Sequence, residues 1–154
     1  MRGFKKVSQK EFIKYKSEQE YNNVCLPKRS TKASAGYDFS IPYNVKINPK
    51  ETITIYTGIK AYMQLEEVLF IVVRSSIGIK YKLKLVNQIA VIDSDYYNNL
   101  ENEGHIIIAL ENVGDEVVEL NTGMRFVQGI FLRYLISENE EEPNNKRQGG
   151  LGST

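Results

Sequence analysis

The sequence predicts a single all-β domain, a sandwich or a barrel, and three observations support this prediction. Between residues 36 and 135, short apolar and β-branched runs recur at intervals of about 8–12 residues, separated by Gly, Asn and Asp. Strands do not alternate with helices, as a doubly wound parallel sheet would require. The chain has 154 residues, a length that suits one domain with its own hydrophobic core.

The N-terminal part of the chain carries a helix signal instead. Ser8 and Glu11 have the spacing of a capping box, in which each side chain binds the other residue's backbone N–H. The aromatic residues Phe12 and Tyr15 then follow at helical spacing. We therefore predict a short N-terminal helix over about residues 9–20.

The predicted strands share alternating or continuous apolar character and end at turn-forming residues. They are residues 45–47, 52–56, 69–73, 83–86, 89–92, 106–110, 117–120 and 126–135. The run at 69–73 is apolar throughout, which is typical of a strand buried on both faces.

Beyond residue 136 the composition changes. Residues 137–145 contain four glutamates and no apolar side chain, so they cannot join a core. Residues 146–154 are basic and rich in Gly, Ser and Thr. We predict a β domain at 1–136 and a flexible C-terminal arm at 137–154. The arm is either a frayed terminus or a segment that becomes ordered on a ligand.

Charge and rare residues narrow the possible functions. The 20 Lys+Arg balance 19 Asp+Glu to a net charge of +1, which argues against a general nucleic-acid or membrane binder. No apolar run is long enough for a transmembrane helix, and the N-terminus lacks a signal-peptide pattern, so a cytoplasmic protein is expected. With one Cys and one His, an intrachain disulfide and most zinc sites are excluded, and a Cys–His nucleophile pair is not expected. Carboxylates must carry any proton transfer.

Three segments have the chemistry to bind phosphate. Arg74, Ser75 and Ser76 follow the buried run 69–73 beside a predicted turn at Gly78, and such donors suit phosphate oxygens. The Gly-rich C-terminal end offers backbone N–H groups that can form an anion nest.

Arg125 and Gln128 provide the third segment, at the start of another predicted strand. For an Arg in that position, a structural ion pair is the commoner role.

Asp93 is the candidate general base. It directly follows an apolar strand, where a carboxylate is held partly out of water and can take a proton from a water molecule. The alternative is a turn Asp that satisfies its own backbone, a role that suits Asp95 better. Tyr96 and Tyr97 offer an aromatic face for a sugar or base, with core packing as the alternative for at least one of them.

Five segments, in this order, resemble the five motifs of the trimeric deoxyuridine triphosphate nucleotidohydrolase (dUTPase) family. They are AGYDFS at 35–40, RSSIGIK at 74–80, NQIAVIDSDY at 87–96, GMRFVQ at 123–128 and RQGGLGST at 147–154. The resemblance covers about residues 24–154 and leaves the N-terminal helix outside. It implies a jelly-roll-like β barrel that forms a homotrimer with active sites at subunit boundaries. It also implies Mg²⁺-dependent hydrolysis of dUTP to dUMP and pyrophosphate.

The resemblance also implies a role for each site residue. Asp93 activates the water that attacks the α-phosphorus, and Asp38 reaches Mg²⁺ through water. Asn87 binds the uracil edge, and Tyr96 packs under the deoxyribose where a 2′-OH would lie. The implied phosphate ligands are Arg74, Ser75, Ser76 and Gln128, with Arg147, Ser153 and Thr154 on the γ-phosphate from a neighbouring subunit's arm.

Several residues depart from the family pattern. Ala90 stands where Gly is usual beside the uracil. A longer loop separates Tyr96 from Gly104, which takes the place of the usual Gly. Leu151 replaces the aromatic residue that stacks on uracil.

The arm departs in spacing as well. Lys146 has the usual spacing of the arm's Arg, but we favour Arg147 as the phosphate ligand because guanidinium binds phosphate with a fork of donors.

Two alternatives remain open. A dCTP deaminase is related and carries an Arg-Ser-Ser stretch, but it needs a Glu acting on cytosine. The one candidate, Glu111, lies closer to its Asn, Asn112, than is usual. The second alternative is a regulatory protein in which a nucleotide only switches a partner interface. The inserted loop after Tyr96 keeps this second possibility open.

Overall fold

Antiparallel strands form most of the computed structural model, which describes residues 1–141 and 149–150. The strands are β1 (Gly3–Lys6), β2 (Lys28–Arg29), β3 (Tyr37–Ser40), β4 (Val45–Ile47), β5 (Thr52–Tyr56), β6 (Ile59–Tyr62), β7 (Glu67–Val73), β8 (Leu83–Leu85), β9 (Ala90–Asp93), β10 (Ile107–Asn112), β11 (Val118–Leu120) and β12 (Arg125–Arg133). The helices are α1 (Gln9–Phe12), α2 (Glu18–Asn22) and α3 (Ser75–Tyr81), with a 3₁₀ turn at Ser94–Tyr96. The predicted all-β class is confirmed.

The largest sheet positions the site. Its strand order is β2-β3-β12-β7-β9, and a three-stranded sheet, β5-β10-β8, and the pairs β1-β6 and β11-β4 complete the described strands. All described strand pairs are antiparallel. This arrangement agrees with the expected jelly-roll-like barrel.

A single hydrophobic core lies between these sheets. Strand β10 shows the reason, because every second residue along it is buried, as the two-residue period of a strand requires. The fully buried large side chains include Phe39, Ile71 and Phe126 from the largest sheet and Ile55 from the three-stranded sheet.

The prediction of one helix over residues 9–20 is wrong. The structure has two short helices, Gln9–Phe12 and Glu18–Asn22, with a turn between them. Ser17 starts the second helix with a complete capping box, in which Glu20 N–H donates to Ser17 Oγ at 3.2 Å and Ser17 N–H donates to Glu20 at 2.7 Å. This strong helix start interrupts the first helix.

The capping box predicted at Ser8 is half formed. Glu11 N–H donates to Ser8 Oγ at 3.1 Å, as predicted. The reciprocal bond does not go to Glu11: Ser8 N–H donates to the carboxylate of Glu103 at 2.9 Å. A distant residue thus completes the cap.

The turn predicted at Gly78 is also absent. Gly78 lies inside helix α3, and its N–H donates to Arg74 O at 3.0 Å. The helix ends at Lys82, which adopts a left-handed conformation with φ 56°. Arg74 therefore stands between the last residue of β7 and the start of a helix.

Two further predictions bear on the ends of the chain and on membranes. Residues 137–141 are exposed, while the division of the chain at residue 136 stays a prediction. None of the described helices is long and apolar enough to cross a membrane.

Candidate active site

Strand register brings three of the five motifs together. Gln128 on β12 pairs with Asp38 on β3 at one side and with Val72 on β7 at the other. Arg74 directly follows β7, so it lies at the same end of the sheet. These elements enclose a cleft of about 420 Å³, which we call the phosphate cleft. Its lining residues are Ser30, Ser34, Gly36, Asp38, Arg74, Ser75, Ser76 and Gln128.

Asp38 organises the cations of the phosphate cleft. Its side chain is only 8% exposed, and its two oxygens pair with Arg74 Nε at 2.9 Å and with Arg125 at 3.1 Å. Ser30 Oγ donates to the same carboxylate at 2.8 Å. The structural ion pair considered for Arg125 is confirmed. Because its Nε is occupied, Arg74 is held in one orientation at the cleft.

Gly36 is required by close packing in this cleft. A Cβ at position 36 would lie 2.3 Å from the side-chain oxygen of Gln128. Any larger residue would displace the Gln128 amide from its present place. The Gly of the first motif thus makes room for the Gln of the fourth.

The third motif lines a second cleft of about 130 Å³, which we call the nucleoside pocket. Its described lining residues are Asn87, Ala90, Val91, Ile92, Asp93, Tyr96, Ile107 and Gly150. Asp93 ends β9 and is half-buried, as the sequence predicts for a carboxylate after an apolar strand. Ala90 is buried in the pocket wall at 6% exposure, so its methyl group narrows the pocket.

Tyr96 and Tyr97 differ in surroundings. Tyr97 packs against Tyr62, with ring centroids 5.9 Å apart, and Lys60 Nζ lies 5.4 Å from its ring centre. Tyr96 lines the nucleoside pocket. The packing alternative therefore applies to Tyr97, and Tyr96 is the ring that lines the pocket.

Gly150, in the predicted arm, lies at this pocket. A Cβ on Gly150 would lie 2.8 Å from Cε2 of Tyr96, so the backbone there passes directly over the ring edge. Gly150 N–H donates to the Glu101 carboxylate at 3.3 Å. These contacts are within one chain, whereas the resemblance implies an arm from a neighbouring subunit. The predicted arm ligands Arg147, Leu151, Ser153 and Thr154, with Lys146, lie outside the described residues.

The two clefts are far apart within one chain. Asp93 pairs with Val68 near the start of β7. Arg74 lies six residues after Val68, directly beyond the end of the same strand. At ~3.3 Å per residue these positions are separated by roughly 20 Å. The structure brings together Asp38, Arg74, Ser75, Ser76 and Gln128, and separately Asn87, Asp93 and Tyr96. It does not bring one group to the other.

The donor set fits a magnesium ion held mainly by a ligand. The described residues contain no cluster of three His, Cys, Asp or Glu side chains that could hold a metal. Mg²⁺ often binds through one or two carboxylates, several waters and substrate phosphates. The Asp38 carboxylate has about four acceptor positions, and three donors already occupy it. It can therefore accept one further donor, such as a metal-bound water.

Sequence analysis missed several residues of the site. Ser30 and Ser34 line the phosphate cleft and come from the polar loop after Pro27, where no pattern marks a ligand. Asn102 and Glu103, in the inserted loop, hold Tyr96 and the N-terminal segment, as described below. The sequence feature that could have drawn attention to these two residues is the unusual length of the inserted loop.

The fold and the phosphate cleft define an antiparallel β-barrel protein with a cleft of arginine and serine side chains beside a paired carboxylate. The dUTPase family model matches residues 22–154. The chain therefore belongs to the dUTPase family, and the resemblance of the five motifs is confirmed.

Individual relatives agree with this assignment. The deoxyuridine 5′-triphosphate nucleotidohydrolase of Lactococcus lactis is 44% identical over 155 aligned residues, covering all of this chain and 97% of the relative. The crystal structure of dUTPase from Streptococcus mutans has a TM-score of 0.74 at 41% identity, covering 89% of this chain and 99% of that one. The dUTPase of Staphylococcus aureus phage phi11, 17% identical with a TM-score of 0.71, shares the fold.

Proposed function

We propose that the protein is a homotrimeric dUTP diphosphatase that hydrolyses dUTP to dUMP and pyrophosphate with Mg²⁺. One observation carries the proposal. The motif residues form a phosphate cleft around Arg74 and a nucleoside pocket around Asp93 and Tyr96, and each is one half of a nucleoside triphosphate site.

Asp93 is the general base in this proposal. It takes a proton from a water molecule as the water oxygen forms a bond to the α-phosphorus. The bond from that phosphorus to the bridging oxygen of the β-phosphate breaks, and pyrophosphate leaves with the bond's electron pair. Positioning and charge stabilisation supply most of the remaining acceleration in phosphoryl transfer.

The phosphate cleft supplies that charge stabilisation. Arg74, Ser75, Ser76 and Gln128 donate hydrogen bonds to the phosphate oxygens, and Asp38 keeps Arg74 oriented through the 2.9 Å pair with Nε. Such preorganised donors act without reorganising during the reaction. When bound, Mg²⁺ neutralises charge on the triphosphate, and Asp38 would contact it through water.

The nucleoside pocket supplies recognition. Asn87, in the turn before β9, hydrogen-bonds the uracil edge, and Tyr96 packs under the deoxyribose. Leu151 covers the base face by dispersion in place of a stacked ring. Arg147, Ser153 and Thr154 bind the γ-phosphate when the arm, residues 137–154, closes over the site.

The distance between the clefts supports the trimer. Asp93 must act on the α-phosphorus while Arg74 binds the same phosphate chain, but the two lie roughly 20 Å apart along β7. This distance supports a site built by two different chains, and a closed ring of three copies would supply three equivalent sites.

The deciding assay incubates the protein with dUTP or dCTP, with Mg²⁺ or with EDTA, and measures pyrophosphate and ammonia. Pyrophosphate from dUTP, abolished by EDTA, is the expected result. Ammonia from dCTP would support the deaminase, and no product would support a nucleotide-responsive binding protein. No structural observation favours the deaminase, because Glu111 pairs with Lys84 at 3.1 Å and lines neither cleft.

A further inference from the structure

The inserted loop, residues 97–103, is a closed unit held by its own asparagines. Asn99 Oδ1 accepts the backbone N–H groups of Glu101 at 3.0 Å and Asn102 at 3.1 Å. Asn99 Nδ2 donates to Tyr96 O at 2.9 Å, which ties the loop to the start of the insertion. Gly104 ends the loop with φ +80°, where a Cβ would lie 2.5 Å from Tyr96 O.

This loop also holds the far end of the Tyr96 ring. Tyr96 Oη donates to His105 O at 3.0 Å and accepts a hydrogen bond from Asn102 Nδ2 at 2.8 Å. The hydroxyl therefore uses its one proton on a carbonyl and accepts from an amide. The ring is fixed at both its Cα and its hydroxyl.

The orientation of the Asn102 amide is set by its other contacts. Its Oδ1 accepts from Asn99 Nδ2 at 2.8 Å and from Gly104 N–H at 3.0 Å. Two donors thus surround the oxygen, which leaves the NH₂ group facing Tyr96. The side chain is buried, with 8% exposure, so water does not compete for these bonds.

The loop is anchored to the N-terminal segment that the family model does not cover. The Glu103 carboxylate accepts from Ser8 N–H at 2.9 Å and from Lys60 Nζ at 3.1 Å. Burial raises the pKa of Glu103, but these hydrogen bonds outweigh burial and lower it to about 2. The Asn102–Tyr96 contact therefore stands on a loop that is held at both ends.

We propose that Asn102 is a positioning residue that fixes the Tyr96 ring and thereby sets the discrimination between deoxyribonucleotides and ribonucleotides. The proposal rests on the proposed function, in which this ring occupies the space of a 2′-OH. Steric exclusion works only while the ring stays in place, and supporting residues must hold such a group within about 0.5 Å. Without the Asn102 bond, the ring can shift and admit the ribose.

A purely structural role for Asn102 makes a different prediction, which a double-mutant cycle separates. Asn102→Ala removes loop-closing bonds as well as the bond to Tyr96. Tyr96→Phe keeps the ring and every bond of the loop except those of the hydroxyl. Asn102→Ala removes the loop-closing bonds whether residue 96 is Tyr or Phe. The coupling between the two variants therefore reports the Asn102–Tyr96 hydrogen bond alone.

The experiment measures kcat/KM for UTP and dUTP in wild type, Tyr96→Phe, Asn102→Ala and the double variant. We expect each single variant to raise the UTP/dUTP ratio by about two- to tenfold, the value of one net hydrogen bond, and the double variant to add nothing. Leu100→Ala, at a loop side chain that is 97% exposed, is the control and should leave the ratio unchanged. An unchanged ratio in Tyr96→Phe, or effects that multiply, would overturn the proposal.

Amide hydrogen exchange of residues 97–105 without nucleotide gives a readout independent of turnover. Exchange should be faster in Tyr96→Phe than in wild type or Leu100→Ala. If the wild type failed to hydrolyse dUTP, the proposed function would be wrong. Faster exchange in Tyr96→Phe would still support the proposal that Asn102 holds the Tyr96 ring. Unchanged exchange in Tyr96→Phe would overturn the proposal that Asn102 holds the Tyr96 ring, whether or not the protein hydrolyses dUTP.

Discussion

Arg74 and Asp93 lie near opposite ends of strand β7. Asp93 pairs with Val68 near the start of β7, and Arg74 directly follows the strand's last residue, Val73. The span of six residues corresponds to roughly 20 Å, which exceeds the combined reach of the two side chains toward one α-phosphate. The proposed site, which uses both residues, therefore takes them from different chains.

We predict that two inactive variants restore each other in mixed trimers. Co-expressed Asp93→Asn and Arg74→Ala chains should give about a quarter of wild-type dUTP hydrolysis, because each composite site has that chance of receiving both intact residues. Each variant alone should be inactive. Sedimentation should show a trimer. A monomer that hydrolyses dUTP, or mixtures as inactive as their components, would contradict the shared site.

Asp93→Asn should abolish turnover and largely preserve binding. The amide keeps the shape of the carboxylate but cannot take a proton from water, and general-base catalysis is typically worth about 10²–10⁴-fold. Stopped-flow turnover and calorimetric dUTP binding measure the two effects. Asp95→Asn, at an exposed position two residues on, is the matched control. If the control lost activity and Asp93→Asn did not, the base would be Asp95.

Deletion of residues 147–154 should leave the melting temperature nearly unchanged, because no residue of the described core lies there. Turnover of dUTP should fall strongly, while the affinity for dUMP, which has no γ-phosphate, falls less. Gly150→Ala perturbs the arm without truncating it, because the added Cβ would lie 2.8 Å from the Tyr96 ring. Full turnover after truncation would identify the Gly-rich end as a frayed terminus.

Acid should destabilise the protein through His105. Burial lowers the pKa of this fully buried side chain to about 4, and its Nε2 accepts Gly58 N–H at 2.9 Å, which requires the unprotonated nitrogen. The unfolded chain binds a proton near pH 6.5, so stability is complete above that pH. It falls by at most about 3 kcal/mol as the pH decreases to about 4.

Urea unfolding at fixed protein concentration across this pH range measures the effect. His105→Gln retains an acceptor for Gly58 N–H and removes the titrating ring, so its stability should change less between pH 6.5 and 4. His105 is the chain's one histidine, so no other imidazole can supply the slope. An identical slope in the variant would exclude His105 as its cause.

The sequence by itself determined the fold class and the family, and it predicted most of the residues of the proposed site. Alternation such as that in β5, where Ile53 and Ile55 alternate with threonines, is visible in sequence because a strand exposes its two faces in turn. The five motifs are contiguous, so their order identifies the family without any knowledge of contacts. Strands β1, β2, β3 and β6 were missed. The first two, with the sequences GFKK and KR, have no apolar alternation that could mark them.

Only the tertiary structure decided which residues act together. The pairing of β12 with both β3 and β7 places Gln128 beside Asp38 and Arg74, and local sequence does not encode strand register. The capping partner of Ser8 is Glu103, 95 residues away, and the partner of Tyr96 Oη is Asn102 in a loop with no recognisable pattern. Such contacts depend on which segments the fold brings together, and the packing of the whole domain determines this.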